Sequence, residues 1–174
     1  VKSWVKQGIR VIHIGGWHQY AKYTYDYKRL IKLAHANGIL VYAWLEPPYV
    51  SQKFWQSHPE WREKNFKGKD LIASWRYPVA LTDEKCLSAV IVEYQKLLND
   101  YDWDGVNLAE LYFESGIKGF INDTLFAPMH PSACKEFKNE YKFDLKQIFN
   151  PNSEYYWKKN PKAKEDVINY RIDK

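Results

Sequence analysis

Tyr101-Asp102-Trp103-Asp104-Gly105-Val106-Asn107-Leu108-Ala109-Glu110 reads as the close of a helix, a tight Asp-Gly turn, a short apolar strand and a carboxylate where the strand stops. A carboxylate at the carboxyl end of a strand is where α/β-barrel enzymes place their chemistry. This stretch therefore raises the fold and the candidate site together.

Two earlier runs repeat the pattern. Residues 9–14 read as a strand that ends in Gly15-Gly16-Trp17-His18, and residues 39–45 as a second that ends in Glu46-Pro47-Pro48. The third covers 105–111. A helix is expected over 27–37, with Asp26 as its N-cap and Gly38 as its stop. The longest helix is expected over 83–100, with Thr82 as cap and Cys86, Leu87, Val90, Ile91, Tyr94, Leu97 and Leu98 as its buried stripe. Strand-helix alternation argues for a parallel sheet built from βαβ units. The short, nearly all-apolar strands suit a sheet covered by helices. The expected fold is α/β, of the (β/α)8 barrel type, with roughly three βα units in residues 1–130. Helical patterns follow over 132–141, 144–149, 153–160 and from 162 onward, with Ser132 and Ser153 as caps. Three strands do not close a barrel of eight. The chain is therefore expected to be a single partial domain, 1–174, with the rest of the barrel in the same longer polypeptide; a smaller open α/β domain is the other option. Both ends read as helix, around Val1, Trp4 and Val5 and around Val167, Ile168 and Ile172, which is the pattern of an internal piece.

Composition narrows the function classes. No run of about 18 apolar residues is present to span a membrane. The net charge of +5 is modest, and its densest patch, Lys158, Lys159, Lys162 and Lys164, reads as solvated surface rather than a nucleic-acid groove. Cys86 and Cys134 fall at apolar positions of helices, where packing accounts for them. Neither C-x-x-C nor H-E-x-x-H occurs, so no metal and no cofactor is expected. The unusual number is the 17% aromatic content, with eight Trp and fourteen Tyr, more indoles than a core of this size requires. Flat rings also suit sugar clefts, because the C–H groups of a pyranose pack against them.

Loop lengths add direction. Connections before strands are short; those after strands are long, at 15–25, 46–81 and 112–131. In α/β barrels the loops after strands build the active face. The stretch 46–81 carries Tyr49, Phe54, Trp55, Trp61, Phe66, Trp75 and Tyr77. Alternation turns Val41, Ala43 and Leu45 to the helices and Tyr42, Trp44 and Glu46 to the barrel axis. It likewise sends Ile12, Ile14, Val106 and Leu108 outward and His13, Gly15, Asn107 and Ala109 inward. Glu110 shares the outward face and reaches the mouth only if the strand has ended. His13 reads as a packed core histidine, His18 as a ligand candidate, and His58 and His130, each before a proline, as turn residues.

The succession Val41-Tyr42-Ala43-Trp44-Leu45-Glu46-Pro47, His58-Pro59-Glu60-Trp61 and Asp104-Gly105-Val106-Asn107-Leu108 resembles the "family 10-like" group of glycosyl-hydrolase-like barrels. Glu136-Phe137, Tyr141-Lys142-Phe143-Asp144, Tyr156-Trp157-Lys158-Lys159-Asn160 and Tyr170-Arg171 resemble the helical segment that follows in that group. The resemblance implies an eight-stranded barrel acting on a carbohydrate. Two departures stand out: Ala109-Glu110 replaces the group's Asp-Asp, and Glu46 stands where the group often has Asn. The expected activity is glycoside hydrolysis of a poly- or oligosaccharide by two carboxylates. Glu110 would be the acid/base and Glu46 its partner, with Trp17, His18, Trp44, Trp55, Trp61, Arg76, Asn107 and Tyr112 lining the cleft. The alternative is a degenerate barrel that binds glycan without cleaving it. Analogy with polysaccharide enzymes favours a site of action outside the cytoplasm.

Overall fold

The computed structural model describes residues 1–17, 25–72, 76–109, 120, 122 and 124–173. Strands β1 (Val11–Gly15), β2 (Leu40–Leu45) and β5 (Gly105–Leu108) run parallel in one sheet, in the order β1-β2-β5. A short helix, α1 (Lys2–Lys6), leads into β1. Helix α2 (Tyr27–His35) connects β1 to β2, started by Asp26, whose side chain accepts from Arg29 N–H. Gly38, at φ +70°, ends that connection in a backbone conformation that favours glycine. Helix α4 (Glu84–Asp100) leads into β5. Asp83 caps it, accepting from the N–H groups of Lys85 and Cys86. The expected cap, Thr82, instead bonds Ser132 Oγ through its own hydroxyl at 2.7 Å.

Alternation in β2 comes out as the pattern requires, whereas on β5 Val106 and Leu108, expected under the helices, are exposed, because no described element covers that flank. Val41, Ala43 and Leu45 are fully buried under the helices, where Ile31, Ala34, Val90 and Leu97 meet them. The opposite face carries His13, Tyr42 and Gly105 in one row, and Gly15, Trp44 and Asn107 in the next. Gly105 is needed there: a Cβ on it would stand 2.4 Å from Tyr42 Cε1, so only glycine lets that ring lie flat across β5. The third strand stops at Leu108; residues 110 and 111 of the expected strand lie outside the described residues.

The stretch after β2 is more ordered than a loop. Tyr49–Val50 (β3) pairs antiparallel with Tyr77–Pro78 (β4), and between them lie α3 (Gln52–Ser57) and a 3-10 turn, Pro59–Trp61. Tyr49, Phe54 and Trp55 are buried, so part of the ring excess goes to a local core. A second core lies in the helical segment, where α5 (Pro131–Tyr141), a 3-10 turn at Leu145–Phe149 and α6 (Pro161–Ile172) enclose Phe126, Phe137, Ile148, Val167 and Tyr170. His130, not Ser132, caps α5.

Two sequence expectations fail for clear reasons. The helix expected over 153–160 is a run of turns: Trp157 N–H goes back to Ile148 C=O, and Tyr155 stacks on Phe143 with ring centroids 4.2 Å apart. Those tertiary contacts outweigh the helical spacing. On α4, Leu87 and Ile91 are exposed although the stripe placed them inside, because they flank the side that no described element covers.

Candidate functional site

Glu46 follows β2 directly and sits on the open face with Tyr42 and Trp44, yet it is only 4% exposed. Trp44 Nε1–H donates to its Oε1 at 2.5 Å. Arg76, just before β4, brings Nε within 3.5 Å of Oε2, and its guanidinium lies 5.2 Å from the centre of the Tyr49 ring. Oε2 receives no hydrogen bond among the described residues. A carboxylate taken out of water with one oxygen unsatisfied is costly, and such positions are found where a partner arrives later. Behind it, the Tyr94 hydroxyl of α4 is also buried, with no hydrogen-bond partner among the described residues. Burial, and next the Glu46 charge, push that phenol well above its ordinary range.

The neighbouring strands add polar groups to the same face. Asn107 Nδ2 donates to His13 Nδ1 at 3.3 Å, linking β5 to β1 across β2. The His13 ring stacks on Tyr42 at 5.4 Å and meets the edge of Trp44 at 6.1 Å. His13 is therefore an exposed face residue, not the packed core histidine its apolar surroundings in sequence imply. No described element covers the face opposite the helices.

Of the residues expected in the cleft, Trp44, Glu46, Arg76 and Asn107 come together. Trp17 is buried among Leu45, Val90 and Leu97, with Phe54 and Tyr94 edge-on at 5.0 and 5.1 Å. Trp55 is buried too, with the Arg62 guanidinium 3.9 Å from its ring centre. Both indoles therefore pack the core beneath the loop rather than line an open cleft. Trp61 is half-buried and stacks on His58 at 4.4 Å, which in turn holds Phe54 C=O at 2.9 Å. The His-Pro-Glu-Trp motif thus ends α3 and turns the chain. Glu110, His18 and Tyr112 lie outside the described residues.

Sequence reading missed Glu63, which is 1% exposed. Its Oε1 accepts from the N–H groups of Lys64, Met129 and His130 at 2.8–2.9 Å. Burial raises its pKa, and those three N–H groups and His130 pull it back only in part. The ring of His130 spans Glu60 C=O at 2.9 Å and Ser132 Oγ at 2.7 Å. This polar knot ties the excursion after β2 to the start of α5. Its partners lie 66 and 67 residues away, so no local spacing announces it.

No protein-family model matches the chain, and no curated protein matches it. Among solved structures it is similar to α-L-fucosidase isoenzyme 2 from Paenibacillus thiaminolyticus, at 14% identity and a TM-score of 0.57, over 97% of this chain and 25% of that one. It is also similar to a GH36 α-galactosidase from Geobacillus stearothermophilus (14% identity, TM-score 0.48, 66% of this chain and 19% of that one). An α-galactosidase from Lactobacillus brevis gives 12% identity and a TM-score of 0.47, over 81% and 22%. The last two, at their lower scores, add no weight. The chain thus spans a quarter or less of the length of these enzymes. At such identities the likeness is one of fold alone: an α/β unit with a parallel sheet, shared with part of that fucosidase.

Proposed function

We propose that this chain carries the sugar-binding face of a glycoside-hydrolase-type barrel acting on a poly- or oligosaccharide. The supporting observation is the buried Glu46 carboxylate, gripped at one oxygen by Trp44 and beside Arg76 at the other, on a face that also presents an indole, a phenol, an imidazole and an amide. N–H groups directed at Glu46 present it as an acceptor. That suits the carboxylate that attacks the anomeric carbon or takes a proton from the attacking water. Glu110 would then protonate the leaving oxygen as the glycosidic bond breaks. Trp44 and Arg76 would contact the sugar, with His18, Trp61 and Tyr112 from the surrounding loops, and Asn107 would stand on the same face beside His13. Trp17 and Trp55 would support them from below. The narrower likeness to the family 10-like group rests on the sequence motifs alone, and the remaining strands would belong to the same longer polypeptide.

Glu46→Gln and Glu110→Gln, assayed on a polysaccharide panel in the complete protein, test the reading. Each is expected to lower turnover by about 10²–10⁴-fold while sugar binding persists. Unchanged turnover in both would overturn the assignment. Ala109 favours a second reading, a barrel that binds glycan without cleaving it, because an inward methyl stands where the related group often has an acid. Binding by the parent with no turnover on any substrate would select that reading.

A further inference from the structure

We propose that His13 contacts the ligand through its Nε2–H, and that Asn107 is the residue that positions it; this rests on the carbohydrate reading above. With the Asn107 amide turned so that Nδ2 faces the ring at 3.3 Å, its N–H meets a lone pair on His13 Nδ1, whereas the reversed amide would accept from Nδ1–H; the ring-nitrogen shifts tell the two apart. In the first arrangement the neutral ring carries its proton on Nε2. That nitrogen has no hydrogen-bond partner among the described residues, and the side chain is exposed. Stacking on Tyr42 and the edge contact with Trp44 fix the plane of the ring. Gly15, two residues on and on the same face, adds no side chain between the imidazole and the carboxyl end of the sheet. Gly105 allows Tyr42 to hold its place under the ring. The face thus offers an oriented donor at His13 beside the Trp44 indole, with the Glu46 carboxylate and Arg76 buried behind that ring. A neutral pyranose matches that pair: a hydroxyl oxygen for the imidazole and a C–H face for the ring. Asn107, expected from sequence to touch the sugar, acts through His13 instead.

The test uses the complete protein labelled with ¹⁵N-histidine and titrated with L-fucose, D-galactose, D-glucose and D-xylose. The ring nitrogens report the tautomer directly. We expect a protonated Nε2 and an unprotonated Nδ1 at His13, and an Nε2 shift on adding the sugar that binds. His13→Phe keeps a ring on Tyr42 but has no donor, and is expected to weaken sugar binding about tenfold. Asn107→Leu is expected to leave the fold intact, mix the two tautomers and weaken binding by a smaller factor. A parent that binds sugar with no change at His13, and a His13→Phe chain of equal affinity, would overturn the inference while leaving the carbohydrate reading standing. No binding of any sugar by the parent would overturn both. If His13→Phe does not fold, the ring-nitrogen shifts of the parent decide alone.

Discussion

The Asp104 carboxylate accepts from Val41 N–H at 2.7 Å and meets His35 Nε2 at 2.8 Å, while His35 Nδ1 lies 3.6 Å from Asp102. Burial alone would raise the Asp104 pKa, but the Val41 and His35 bonds outweigh it and hold the group below the usual carboxylate value. A native pKa below the unfolded one means that this stabilisation is fully present above the unfolded value of about 3.9. It is lost as pH falls through the lower native value. Asp104→Ala is expected to cost about 1.5–3 kcal/mol near neutral pH, the usual worth of hydrogen bonds to a charged group. Urea unfolding at pH 7 and again near pH 2 checks both parts, since the gap between parent and variant should narrow in acid. Gly105→Ala is a second residue-level test. Its Cβ would meet Tyr42 at 2.4 Å, so a cost of about 1–3 kcal/mol is expected, with shifts in the Tyr42 and His13 resonances.

At the scale of elements, α4 separates what spacing reveals from what it hides. The 3.6-residue period correctly put Cys86, Val90 and Leu97 inside, and burial pushes the Cys86 thiol up to about 12, as suits a packing residue. The same period assigned Leu87 and Ile91 to the interior. That requires a neighbour on that flank, and no described element supplies it. Ile91→Ser should therefore change the stability of this chain by no more than about 0.5 kcal/mol, whereas Val90→Ser should cost several times that. Denaturation midpoints of the two variants decide the matter. The parallel strands, the two faces of β2 and the place of Glu46 at its end were legible, because period-two alternation and the turn residues encode them locally. The buried Glu63 was not, because two of the N–H groups it satisfies come from Met129 and His130, just before α5. Glu63→Ala would leave the Met129 and His130 N–H groups buried without a partner, an expected cost of roughly 2–6 kcal/mol, and Glu63→Gln should recover much of it. Thermal unfolding of the pair measures the difference.

On the scale of the whole molecule, the apolar core divides. One part lies between the sheet, its helices and the excursion after β2, and the other lies inside the helical segment. Glu63, His130, Ser132 and Thr82 form a polar seam between the two. Ile148→Ala, deep in the second part, is expected to cost about 2–5 kcal/mol. It should lower amide-exchange protection in α5 and α6 before it lowers that of β2. Equal loss everywhere would show that the parts unfold as one. The candidate site was partly legible for a related reason. Its strand-borne members follow alternation, whereas Arg76 arrives from the far end of the excursion, and Trp17 and Trp55 were claimed by the core. The turn at Asp104 has one more effect. Its N–H donates to Val41 C=O at 2.9 Å while its carboxylate takes Val41 N–H, so β5 grips β2 in both directions at its foot. Slipping β5 by a single residue would bring Val106 or Leu108 to the place of Asn107 and leave His13 against an aliphatic side chain. The Asp-Gly turn is thus the index mark from which the open face is counted, and it decides which chemistry stands at the head of the strand.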